Sequence, residues 1–122
     1  MSNVVFDPTN KAVIGTFKGF LEMAQHQAIG NEVLTVAGKN FCPRLIIDTS
    51  ELSVIRKETQ KWIEEDWFPR AIKLNIRFMA FIVSKDALGK MSTQSVNQKA
   101  GPIEIQYVDS LASAKSWIGS KL

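Results

Sequence analysis

Cysteine and histidine occur once each in the chain, as Cys42 and His26. A lone cysteine excludes an internal disulfide and fits a reducing compartment. One histidine and one cysteine leave no ligand set at metal-site spacing, so no metal is expected. The seven glycines are dispersed; no loop can cradle a phosphate, and no cofactor is expected. Long apolar runs are also missing. The longest, Phe78 to Val83, falls far short of the roughly 20 residues that span a bilayer. The opening MSNVVFDPTN has neither a basic n-region nor an apolar core, so no signal peptide and a cytoplasmic protein are expected. Basic residues number 15 against 12 acidic, for a net charge of +3. They are scattered, never more than two adjacent, and this excludes the basic stripe of a nucleic-acid binder.

What is present describes an ordinary globular domain. The 122 residues are 45% hydrophobic and 22% charged, enough for one domain with its own core. The stretch Arg44 to Trp67 organises the chain: a buried strand, a polar turn, then an amphipathic helix. Leu45, Ile46 and Ile47 end at Asp48, the turn-prone Thr49 to Glu51 follow, and Trp62, Ile63 and Trp67 recur at helical spacing. Upstream, Val4 to Phe6 and Ala12 to Phe17 predict a hairpin across Asp7-Pro8-Thr9-Asn10. Gly15 suggests a bulge or a close packing contact. A helix is expected over 19–37, with Leu21, Ala24, Ala28, Val33, Val36 and Ala37 along one face. Pro69 lacks the N–H that would bond the Glu65 carbonyl, so the second helix, begun near Lys57, should kink there.

Downstream, Ile76 to Val83 is apolar on both faces and predicts a central parallel strand. Lys85 to Met91 predicts a helical turn, and Ser92 a cap for a short helix through Lys99. The alternation of Ile103, Ile105 and Tyr107 with Glu104 and Gln106 predicts an edge strand with one wet face. Asp109 or Ser110 then caps a last helix carrying Leu111, Ala114, Trp117 and Ile118. The resulting order is ββαβαβαβα, an α/β fold with a mixed five-stranded sheet and about four helices. Right-handed crossovers between successive strands put their helices on one face. The other face, with either Phe78, Ala80 and Ile82 or Met79, Phe81 and Val83, lacks an obvious cover. A homodimer across it is the simplest expectation, with an apolar small molecule or the first helix as alternatives.

Chemistry is sparse. Asp48 sits where open α/β sheets bind ligands, at the carboxyl end of a parallel strand, although its carboxylate can equally accept turn N–H bonds. Ser50 and Ser53 lack a nucleophile elbow, and His26 is expected on a distant helix. An enzyme would need Asp48, Ser50 and Lys85 to converge; no catalysis is expected. Trp62 and Trp67 lie about 140° apart on a straight helix. Either both enter the core, the second re-aimed at Pro69, or one faces a groove or partner.

LIIDTSELSVI at residues 45–55 resembles the strand-and-turn signature of STAS domains, the SpoIIAA-like fold of anti-sigma-factor antagonists. TFKGF, QKWIEEDWFPRA, AFIVSKDALGKMS and IEIQYVDSLASAKSWI extend the resemblance to small stand-alone STAS-like proteins of bacteria over essentially the whole length. It implies a mixed sheet with helices predominantly on one face, and a binding or regulatory module acting through a protein partner. Where the family has its phosphorylated serine this chain has Lys57, so no phospho-switch is expected at that position. The implied partner surface is the turn Asp48 to Ser53 with the start of the next helix, giving Asp48, Ser50, Ser53, Lys57, Trp62 and Lys85 as candidate binding residues. A related architecture, the CRAL-TRIO lipid-transfer domain, implies the alternative of an apolar ligand against the sheet.

Overall fold

The structure is a computed structural model that describes residues 3–90 and 97–122, with backbone only for 97–100. The chain opens with strand β1 (Asn3–Asp7) and strand β2 (Ala12–Gly19), paired antiparallel. Asp7 makes the turn: its carboxylate accepts Thr9 N–H at 3.0 Å and Asn10 Nδ2 at 2.9 Å, as the composition of this segment predicts. Helix α1 (Met23–Lys39) follows, starting later than expected, because β2 runs on to Gly19 and Glu22 caps the helix, its N–H donating to Gln25 Oε1 at 2.9 Å. Its buried positions are His26, Gly30, Val33, Leu34 and Ala37, a clean helical stripe. Ala24 and Ala28, expected on that stripe, are exposed.

Strand β3 (Arg44–Leu52) is longer than expected and pairs parallel with β2. Helix α2 (Lys57–Trp62), a π-helical turn (Ile63–Trp67) and helix α3 (Phe68–Lys73) then run on without a break. Strand β4 (Phe78–Ile82), helix α4 (Lys85–Lys90), strand β5 (Asn97–Ala100), strand β6 (Ile103–Val108) and helix α5 (Leu111–Gly119) complete the chain. Ser110 caps α5, its Oγ accepting Ser113 N–H at 3.1 Å.

The six strands form one mixed sheet in the order β1-β2-β3-β4-β6-β5. Strands β2, β3, β4 and β6 are parallel neighbours, and β4 lies at the centre of the sheet beside β3, as the doubly apolar run from Ile76 to Val83 predicts. The edge assignment of 103–108 is corrected, because β6 is paired on both sides, to β4 and, antiparallel, to β5. Asn97-Gln98-Lys99-Ala100 carries no β-branched or aromatic residue, and local propensity conceals this strand. Gly101, at φ +60°, turns the chain between β5 and β6. A helix through Lys99 is thereby excluded; its expected cap, Ser92, lies outside the described residues.

Alternation divides the sheet between two cores. Val13, Phe17, Leu45, Ile47, Met79, Ile103 and Ile105 pack with Val33, Leu34, Ala37, Trp67 and Ala71 of the first and second helical segments. Ala12, Ile46, Ala80, Ile82 and Val108 pack with Ala114 and Ile118 of α5. The face expected to be bare is therefore filled within the chain by α5, and it needs no homodimer or ligand to cover it. The physical reason is that α5 follows the last strand. With no further strand to reach, it can fold under the sheet, and each large apolar side chain it helps bury contributes about 1.5–3 kcal/mol.

Candidate functional site: an aromatic cavity under the π turn

Asp48 and Ser50 lie where β3 becomes irregular. From Thr16 to Lys18 strand β2 advances two residues while β3 advances three, from Asp48 to Glu51. The extra residue frees local backbone, and Asp48 Oδ1 accepts both Ser50 N–H at 3.0 Å and Ser50 Oγ at 2.7 Å. Thr49 Oγ1 donates to the Ile82 carbonyl at 2.9 Å, tying the end of β3 to that of β4. The Asp-Thr-Ser sequence thus satisfies an irregular strand end, and the expected turn at Thr49 to Glu51 is strand. Ser53 and Lys57 are exposed beyond it, Ser53 N–H bonding the Gly19 carbonyl at 2.9 Å. Lys85 is exposed and makes no ion pair or hydrogen bond with Asp48. The structure joins Asp48 to Ser50 but does not bring Lys85 to them.

Trp62 is brought elsewhere, into a site that the sequence reading did not assemble. In the π turn the Phe68 N–H reaches back to the Ile63 carbonyl, five residues instead of four. Each such turn takes in an extra residue, and this brings Trp62 and Trp67 towards one side of the helix despite their five-residue spacing. The proline is accommodated as well, since the helix continues into α3 with Pro69 in its first turn. Both tryptophans meet α1 at Gly30. A Cβ on Gly30 would lie 3.2 Å from Trp67 Nε1 and 3.3 Å from Trp62 Cη2, so glycine permits the close approach. Trp67 Nε1 donates to the Gly30 carbonyl at 2.8 Å, a buried bond.

Beside this contact lies a cavity of about 70 Å³ with an almost wholly apolar lining. Its floor is Phe17, Ile47, Met79 and Phe81 of the parallel strands, and its roof is Trp62, Ile63 and Trp67. Thr49 and Ile55 lie towards the strand ends, where α/β sheets bind ligands. Phe81 is stacked on Tyr107 at 5.4 Å, and burial pushes the Tyr107 phenol above its ordinary pKa.

His26 lines the same cavity. Its ring lies 4.8 Å from that of Phe17, and the residue as a whole is only 7% exposed. Burial lowers its pKa from the ordinary 6.5, which keeps the imidazole neutral at pH 7. Its helix is therefore close to the end of β3, where Thr49 shares the cavity. A histidine four residues before Gly30, on the stripe continued by Val33, Leu34 and Ala37, is the signal that could have located this wall.

No group of three or more His, Cys, Asp or Glu side chains able to hold a metal occurs among the described residues. No helix among them is long and apolar enough to cross a membrane. No family model, curated protein or solved structure matches the chain.

Proposed function

We propose that this protein is a STAS-like, non-enzymatic binding module that holds a small apolar molecule between the sheet and its two tryptophans. The cavity under the π turn carries the reading. It combines an apolar lining with the carboxyl ends of parallel strands, and π turns recur at functional sites. The STAS assignment draws its support from the hairpin start, the run of parallel strands in sequence order, and LIIDTSELSVI at the bulged end of β3. Lys57 opens α2 where the family has its acceptor serine, so no phospho-switch operates at that position. Titrating the ¹⁵N-labelled protein with toluene tests the cavity. Saturable shifts at Gly30 and at the two indole N–H groups are expected, and an unchanged spectrum at millimolar toluene would refute it.

A protein partner is the second reading, favoured by the cavity's rim. Val54 is 88% exposed and Phe20 is 56% exposed, and Arg56 lies 5.1 Å over the Phe20 ring. Ile55 lines the cavity while its neighbours Ser53 and Val54 face solvent, so one loop touches both ligand and surface. Affinity capture with wild-type and Ser53→Glu protein separates the outcomes. A reproducible partner lost in the variant supports this rim, and identical captures count against it.

A further inference from the structure

Helix α1 ends on a residue that its geometry disfavours. Phe41 N–H donates to the Gly38 carbonyl at 3.4 Å and Cys42 N–H to that of Ala37 at 3.0 Å. These are the paired bonds of a helix end closed by one left-handed residue, a position that glycine commonly fills. Here it is Phe41, at φ +49°. Helix α3 closes in the same way, Asn75 N–H bonding the Ile72 carbonyl and Ile76 N–H that of Ala71. Its left-handed residue is Asn75, at φ +64°, a type that tolerates the conformation. A phenylalanine there is strained. It gains no burial in return, being 93% exposed.

The Gly38 end of α1 also borders a groove of about 450 Å³ between α1 and α3. Leu34, Gly38 and Leu74 give it an apolar floor, a Cβ on Gly38 lying 3.7 Å from Leu74 Cδ2. At the other end Arg70 Nη2 donates to Asn31 Oδ1 at 2.6 Å, and Asp66 balances its charge at 2.8 Å. Lys39 and Lys73 line the groove as well. Both are exposed, and neither has an ion pair among the described residues. Each stands in the last turn of its helix, where the peptide dipoles supply only about half a negative charge. No acidic side chain lines the groove, so its rim stays positive.

We infer that this groove docks an acidic amphipathic helix of a partner protein, with Phe41 packing against the end of that helix. Shape selects a helix. Leu34 and Gly38 on α1, and Arg70 and Leu74 on α3, recur at a spacing of four, so two ridges flank a channel that receives the side chains of a third helix. From Asn31 to Gly38 the channel runs about 10 Å, or about two helical turns. Charge selects the sign, because two unpaired lysines above an apolar floor complement carboxylates beside apolar anchors. A flat anionic membrane would meet the lysines without reaching Leu34, which is buried between the helices. Use by a partner also accounts for Phe41, whose strain the isolated fold does not repay.

The probe is a helix-forming peptide with leucines three and four residues apart and glutamates beside them, titrated into the ¹⁵N-labelled protein. Saturable shifts at the Gly38, Phe41 and Leu74 amides are expected, and the same peptide with lysine for glutamate should leave them still. Lys39→Glu combined with Lys73→Glu should weaken binding about tenfold. Phe41→Gly should weaken it about tenfold or more while raising the melting temperature, a pairing that a structural role for Phe41 would not produce. Gly38→Leu, which fills the channel, should abolish binding while the far-ultraviolet spectrum stays unchanged. Absence of shifts, equal binding of the lysine peptide, or Phe41→Gly protein that melts lower and binds as wild type would overturn the inference. Two other occupants would overturn it too: phosphatidylserine vesicles that carry the protein down where the peptide fails, or self-association lost with the lysines. The groove shares no lining residue with the aromatic cavity, so its outcome is independent of toluene binding.

Discussion

Replacing Trp67 by phenylalanine tests the contact on which the site is built. The change removes the buried 2.8 Å bond from Nε1 to the Gly30 carbonyl, about 1 kcal/mol. It also leaves a void of about 40 Å³, which at about 24 cal/mol per Å³ costs a further ~1 kcal/mol. Lost burial of the missing atoms adds about 0.5–1 kcal/mol, for a total of about 2–3 kcal/mol. Trp62→Phe is the control. That ring is half-buried, and its outer partner is the Arg70 guanidinium 5.9 Å from the ring centre, so its loss should stay below about 1 kcal/mol. Urea unfolding followed by far-ultraviolet circular dichroism measures both without relying on the altered fluorophores. The melting temperature should fall by about 10 °C for Trp67→Phe. Equal costs for the two variants, or a Trp67→Phe loss under about 0.5 kcal/mol, would refute the placement of the indole against Gly30 and the π turn that aims it there.

Acidification should weaken the fold through His26. Its folded pKa lies below the ordinary 6.5, so the unfolded chain takes up the proton first. Stability is then complete above about pH 6.5 and is lost as pH falls from there through the folded pKa. Melting temperatures at about pH 7.5 and 5.5 should show the decline in wild type and a flatter profile in His26→Leu. Gly15→Ala should destabilise by about 1–3 kcal/mol, because the new Cβ would lie 2.7 Å from Val33 Cγ2. In a denaturation cycle Val33→Ala should relieve part of that loss, whereas strict additivity would contradict the contact. Asp48→Ala should cost about 1–2 kcal/mol through the Ser50 bonds, Lys85→Ala less than about 0.5 kcal/mol, and the pair should be additive. Coupling between them would revive the convergence that the structure does not show.

Elements whose signals are local were legible in the chain alone. Asp7 with Asn10 writes its own turn, Ser110 its own cap, and the apolar runs at 45–47 and 78–82 admit only buried strands, because each depends on neighbours a few residues away. The others depend on contacts between distant parts of the chain. Nothing local in Asn97 to Ala100 specifies a strand; the open edge of β6 supplies its hydrogen bonds. The side of the sheet taken by α5 was fixed by Ala114 and Ile118 meeting Ile46 and Ala80 across long sequence separations, not by any pattern within the helix. The site is the clearest instance. A polar His26 and a bare Gly30 look out of place on an apolar stripe until a second helix approaches. The five-residue spacing of Trp62 and Trp67 points them apart until a π turn takes up the extra residue. Those positions acquire their meaning from the surface packed against them, and periodicity along a single helix carries no information about that surface.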